Sequence, residues 1–218
     1  MRSILNFSIV ATIISLLVAC GGEHSHEGDQ ITQGQGTESA NDGCVLMCMQ
    51  DSTKLTWTAY KTNDKVAVSG TFGDLDIGGI QRGSTITDLF SNVRFKMSAA
   101  SVNSGNTERD KKISEHFFGI MIQAMRIDGA VEKIEDDKVL ISIVMNGETV
   151  KQEFDLETDN STFCTVSADL DLERWKAMGS VNALNEACHE LHKGADGESK
   201  MWSEVHIELD FKLNKKCP

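Results

Sequence analysis

From Lys54 onward the chain alternates between apolar and polar positions, the pattern of strands with one buried and one wetted face. The clearest run is WSEVHIELDFKLN at 202–214. There Val205, Ile207, Leu209, Phe211 and Leu213 share one face, while Glu204, His206, Glu208, Asp210 and Lys212 share the other. A core on one side and water on the other is the antiparallel signature. The same reading predicts strands over 55–60, 66–72, 91–97, 124–134, 139–146, 149–157 and 161–170. Asn146-Gly147 joins two of them as a two-residue hairpin. Eight such strands with little helix between them predict an all-β protein. Eight antiparallel strands can close a barrel just wide enough for one small ligand. A two-sheet sandwich is the competing architecture, and the strand count favours the barrel.

Two stretches break the alternation. Residues 107–116 predict a short helix with Thr107 as cap and Asp110 three residues on, a variant of the capping box. Ile113, Phe117 and Ile120 follow at helical spacing. Residues 180–191 predict a second helix with Ser180 as cap and Val181, Leu184, Ala187, Cys188 and Leu191 along one side. The span 173–197 is the longest without strand character, and it is expected to pack outside or across one barrel end.

The N-terminus changes the picture from a free domain to an anchored one. An apolar run from Ile4 to Val18 follows Arg2; it is short for a membrane span and has the length of a signal-peptide core. It ends in Leu17-Val18-Ala19-Cys20-Gly21, which resembles a bacterial lipoprotein lipobox. This predicts removal of residues 1–19 and acylation of Cys20, and two or more acyl chains give stable anchoring. Residues 20–43 are then a lipidated flexible tether rich in Gly, Ser, Gln and acids. As a coil it spans on the order of 25–30 Å root-mean-square. Residues 44–218 form the folded domain.

The net charge of −12, or −13 once Arg2 is removed, disfavours nucleic acid and anionic lipid headgroups as partners. The composition leaves a homodimer open. With Cys20 acylated, Cys44, Cys48, Cys164, Cys188 and Cys217 remain, and an oxidising compartment predicts disulfides among them. Two pairs and one leftover allow fifteen arrangements, which spacing does not resolve.

Three constellations could carry chemistry. Cys44-Val-Leu-Met-Cys48-Met49 gathers soft donors suited to copper or zinc, with His24 and His26 upstream. The alternative is that these cysteines form disulfides to Cys164, Cys188 or Cys217. Cys188 and His192 share a helical face, but Cys188 lies on the apolar stripe, which favours a buried disulfide over a metal. His206 between Glu204 and Glu208 reads as a solvated surface triplet. There is no nucleophile motif and no phosphate loop, so the expectation is binding and no catalysis.

Two stretches resemble a known family. WTAYKTNDKVAVSGTF at 57–72 looks like the paired first strands of the YceI-like, polyisoprenoid-binding proteins. SVNSGNTERDKKISEHFF at 101–118 resembles their most recognisable segment: a Gly-Asn turn, an Arg-Asp pair opening a short helix, and two closing phenylalanines. The resemblance covers most of residues 54–213 and implies a secreted or periplasmic, lipocalin-like barrel whose apolar interior holds a long isoprenoid. The chain departs from the family at Asp51-Ser52-Thr53-Lys54 and Lys61-Thr62-Asn63, where many members carry histidines, and in the insertion-like span 173–199.

The resulting expectation is a lipoprotein of the bacterial cell envelope, its domain in the periplasm or at the cell surface. It holds an isoprenoid or quinone-like lipid, with no other cofactor. Alternation nominates Trp57, Phe72, Phe95, Phe117, Ile127, Ile143, Phe154, Val205, Ile207 and Phe211 as the lining. A strand starting at the Phe117-Phe118 pair would send one ring into the barrel mouth and the other outside. Arg109 and Asp110 read as a local charge pair that fixes the turn.

Overall fold

Alternation becomes eleven strand segments and three short α-helices in the computed structural model, which describes residues 43–123 and 125–218. The signal peptide, Cys20, nearly all of the tether, His24, His26 and Ala124 lie outside the described residues. The strands are β1 (Val45–Cys48), β2 (Lys54–Lys61), β3 (Val66–Phe72), β4 (Leu75–Gly78), β5 (Arg94–Ser98) and β6 (Val102–Asn103). They continue with β7 (Arg126–Glu135), β8 (Lys138–Met145), β9 (Glu148–Thr158), β10 (Phe163–Asp171) and β11 (Met201–Lys216). The helices are α1 (Ile86–Phe90), α2 (Thr107–Lys112) and α3 (Met178–Ala187).

All the strands belong to one antiparallel sheet in the order β4-β5-β7-β8-β9-β10-β11-β2-β3-β6, with β1 added beside β11. The two ends of this path meet. Only Gly73-Asp74 separates β3 from β4, and a single turn at 99–101 separates β5 from β6. The ladder runs on through both breaks: Gly73 N–H donates to Ser101 O at 2.8 Å and Ser98 N–H donates to Asp74 O at 3.2 Å. Joined this way, β3–β4 and β5–β6 are two long passes, and eight passes curl into the barrel wall. The segment count exceeds the expected eight because two passes are interrupted. The sequence reading also missed β1, β4 and α1, which are too short to show a period.

Local chemistry sets the joints. Asn146 (φ 53°) and Gly147 (φ 76°) both take left-handed backbone, the geometry of the two-residue hairpin expected between β8 and β9. Thr85 caps α1 in a full capping box with Asp88. The cap of α2 is Asn106, whose side chain accepts from Arg109 N, so Thr107 is inside the helix. The second helix begins at Met178 rather than Ser180, follows a left-handed Lys176, and ends at Ala187 ahead of a tight turn at 189–191.

The two ends of the barrel differ. Where β11 ends and β2 begins, Leu46 of β1, Leu89 and Phe90 of α1, and Phe211 and Leu213 of β11 are all buried. Phe90 and Phe211 pack with ring centroids 4.8 Å apart. The disulfide is Cys44–Cys217, which ties the start of the described chain to its end at this sealed face. Cys48, Cys164 and Cys188 are free thiols. The expected second pair is absent among the described residues, and Cys188 is buried without a disulfide. The opposite end is covered by α2, α3 and the turns that follow them. The barrel wall, both end plugs and the disulfide all lie within residues 43–218.

Candidate functional site: an apolar cavity under a helical cap

Inward-facing residues of a packed barrel should be buried, and those of upper β11 are not. Val205, Ile207 and Leu209 point inward yet are only half-buried. They border a cavity of about 160 Å³ that runs from the Leu55–Leu209 pair up to the helical cap. Every side chain lining it is apolar. Trp57 carries the one hydrogen-bonding side-chain group in the lining, and its Nε1–H donates to Thr71 O at 3.2 Å within the wall.

Two glycines keep the cavity wide. The Phe95 ring lies against Gly129, where an added Cβ would sit 2.1 Å from a ring carbon. The indole of Trp57 lies against Gly70 in the same way, at 2.4 Å. Only a residue without a side chain lets each ring retract into the wall.

The cap comes from the two breaks in alternation. After α2 the chain widens into a π-helical turn at Ile113–Phe117 and tightens at Phe118–Ile120. This change of winding replaces the roughly 100° step between helical neighbours. Phe117 and Phe118 are both buried and both line the cavity, so the expected split into one inner and one outer ring is corrected. Their rings meet edge to face at 4.9 Å, and Phe118 meets Phe72 at 6.1 Å. Arg109 and Asp110 fix the turn before them through Ser104. Arg109 donates to Ser104 Oγ at 2.7 Å and to its carbonyl at 2.8 Å, and Asp110 accepts from Ser104 N–H at 2.8 Å.

The span 173–197 crosses the barrel end, one of the two placements expected for it. Leu172 and Leu184 line the cavity from above. Trp175 is fully buried; its Nε1–H donates to Ile143 O at 3.1 Å, and its carbonyl accepts from Asn146 at 2.9 Å. Lys112 and Lys61 donate to the carbonyls of Ala187 and Leu191 at 3.2 and 2.8 Å, closing the C-terminal end of α3. Burial, and then the charges of these two lysines, push the His192 imidazole down to about 4.

Of the ten nominated lining residues, Trp57, Phe72, Phe95, Phe117, Ile127, Ile143, Phe154, Val205 and Ile207 border the cavity. Phe211 does not: it lies below the floor, its ring tilted against Phe90. Alternation assigns a face but not a depth, and α1 gave no period to mark where the floor lies. Sequence reasoning missed Phe118, Leu172 and Leu184, which sit outside any strand.

Among the described residues the soft-metal cluster does not assemble. Cys44 is held in the disulfide, and burial raises the Cys48 thiol, which opposes the thiolate a metal needs. His192 bonds Asn185 at 2.9 Å and His189 bonds Glu190 at 3.0 Å, so neither turns to Cys188. No group of three or more metal-type side chains forms among the described residues. His206 pairs with Asp169 across the β10–β11 ladder at 2.8 Å rather than with Glu204 or Glu208.

Fold and cavity together define an all-β barrel with an apolar interior and a helical cap. No family model and no curated protein sequence matches the chain. Solved structures do. A polyisoprenoid binding domain from Saccharophagus degradans, implicated in plant cell wall breakdown, aligns with TM-score 0.52 at 12% identity over 80% of this chain and 98% of that one. BcnA of Burkholderia cenocepacia aligns at 0.49 and 12% identity, covering 77% and 99% of the two chains. The YceI protein of Campylobacter jejuni aligns at 0.46 and 15%, covering 69% and 86%. At such identities the likeness to the first of these establishes the fold alone.

Proposed function

We propose that the protein is a membrane-anchored binding protein that holds the end of a long apolar chain, an isoprenoid or quinone-like lipid, inside its barrel. The observation that carries this reading is the all-apolar cavity. Water in such a space finds no partners, whereas a hydrocarbon loses nothing there. A dry apolar cavity of about 150 Å³ holds one benzene, so a space of about 160 Å³ takes about six carbons, little more than one isoprene unit. Burying about six carbons contributes roughly 5 kcal/mol before the costs of association. A longer lipid must leave its remainder, with any polar head, beyond the cap.

The solved polyisoprenoid binding domain supports the choice of ligand class through its shared fold. The lipobox-like Leu17–Cys20 supports an anchor and, with it, the reading of a domain in the bacterial cell envelope, in the periplasm or at the cell surface. Titration of residues 43–218 with retinol, a polyene of isoprenoid build, tests the reading. Quenching of tryptophan emission that saturates near one equivalent is expected, because Trp57 borders the cavity. Linear, non-saturating quenching would sink it.

A further inference from the structure

Five large apolar side chains stand exposed around the capped end, and nothing in the barrel covers them. Ile120, Ile122 and Met125 are 54%, 67% and 52% exposed and fall within six residues of one another. They belong to the segment that carries Phe117 and Phe118 into the cavity. Ile122 N–H donates to Asn146 Oδ1 at 2.8 Å, which fixes this segment beside the β8–β9 hairpin. Leu191 and Val66, 61% and 47% exposed, lie on the other side of the rim. Lys61 joins these two, donating to Leu191 O and facing Val66 in the ladder.

We propose that this rim is a docking surface for a lipid bilayer, and that the barrel takes up and gives back its ligand by standing cap-down on the membrane. The proposal rests on the lipid-binding reading above. Three observations choose a bilayer as occupant. The exposed apolar residues stand at the end whose cap borders the cavity through Phe117 and Phe118, so a chain leaving a bilayer there meets apolar side chains first. The rim cations Lys65, Lys176 and Lys193 are paired with Glu204, Glu148 and Glu190, and the chain carries a net −12, so the surface suits zwitterionic rather than anionic lipid. The chain outside the structure supplies the third. On the anchored reading Cys20 holds a membrane within 23 residues of Cys44, which enters the barrel at the sealed end. Twenty-three residues reach at most about 80 Å. The eleven residues of β9 span about 37 Å. The tether is therefore long enough for the barrel to turn its far end to the membrane that anchors it.

The test compares residues 43–218 with the variant I120D/I122D/M125D on phosphatidylcholine vesicles. These side chains are exposed, so the variant should keep the wild-type melting temperature. Expected are at least tenfold less co-flotation with vesicles and at least tenfold slower uptake of vesicle-borne retinol. Uptake of retinol added from ethanol should be unchanged. Equal flotation and uptake by the two proteins would overturn the docking surface, as would a wild type that ignores vesicles but dimerises through this rim. Loss of retinol uptake by every route, with flotation intact, would instead sink the ligand reading and leave the docking surface standing.

Discussion

Phe211 and Ile207 sit on the same face of β11, four residues apart, in opposite circumstances. Phe211 is 4% exposed and packs against Phe90. Ile207 is half-buried because the space in front of it is empty. The sealed end, with β1, α1 and the disulfide, is packed as a core. The capped end spends the same apolar residue types on lining a void. A cavity forfeits the dispersion contacts that filling it would bring. The barrel therefore differs along one strand direction: the lower rungs are packed as a core, and the upper rungs line a cavity.

Breaking the sealed end should cost stability and leave binding alone. The largest effect is expected from C44S/C217S, because the bond closes a loop spanning 173 positions. The chain-entropy argument gives about 5 kcal/mol, read as a lower urea midpoint. Phe211→Ala should follow at about 3–4 kcal/mol, from lost burial and the hole it leaves. In both variants the folded protein should bind retinol with wild-type affinity.

Gly129→Ala attacks the other end. The new methyl group displaces the Phe95 ring into the cavity. A stability loss of about 1–2 kcal/mol is expected. Retinol affinity should fall at least tenfold, since the lumen narrows where the chain must lie. A Phe95→Leu change in the same background should restore binding if the ring is the obstruction.

The smallest effect concerns the cap. His192 is held near 4 in the folded protein, by burial and two lysine charges, against an ordinary value of 6.5. Between these values the unfolded chain binds the proton and the folded chain does not. Stability is thus fully present above about pH 6.5 and declines as pH falls toward 4. The ring is partly exposed, so the loss should be about 1 kcal/mol. His192→Asn should flatten the thermal midpoint over that window.

Much of this was legible in the sequence. The period-two runs place β2, β3, β8, β9, β10 and β11 to within two residues at either end, because a wall with one buried face imposes strict alternation. Asn146-Gly147 announced its hairpin through backbone that few residue pairs tolerate. Features that depend on distant contacts were not legible. The Cys44–Cys217 pair joins the two ends of the folded segment, and no spacing rule points there. Phe118 turns inward only because the helix widens at 113–117, and Trp175 is buried only because the span 173–199 folds across the barrel.

The most direct test of the central claim is native mass spectrometry of residues 43–218 exported to a bacterial periplasm, followed by solvent extraction. The account predicts one apolar adduct per chain, released into solvent, and lost in Gly129→Ala but kept in Phe211→Ala. A bare mass, a mass raised only by copper or zinc, or an adduct indifferent to Gly129→Ala would contradict it.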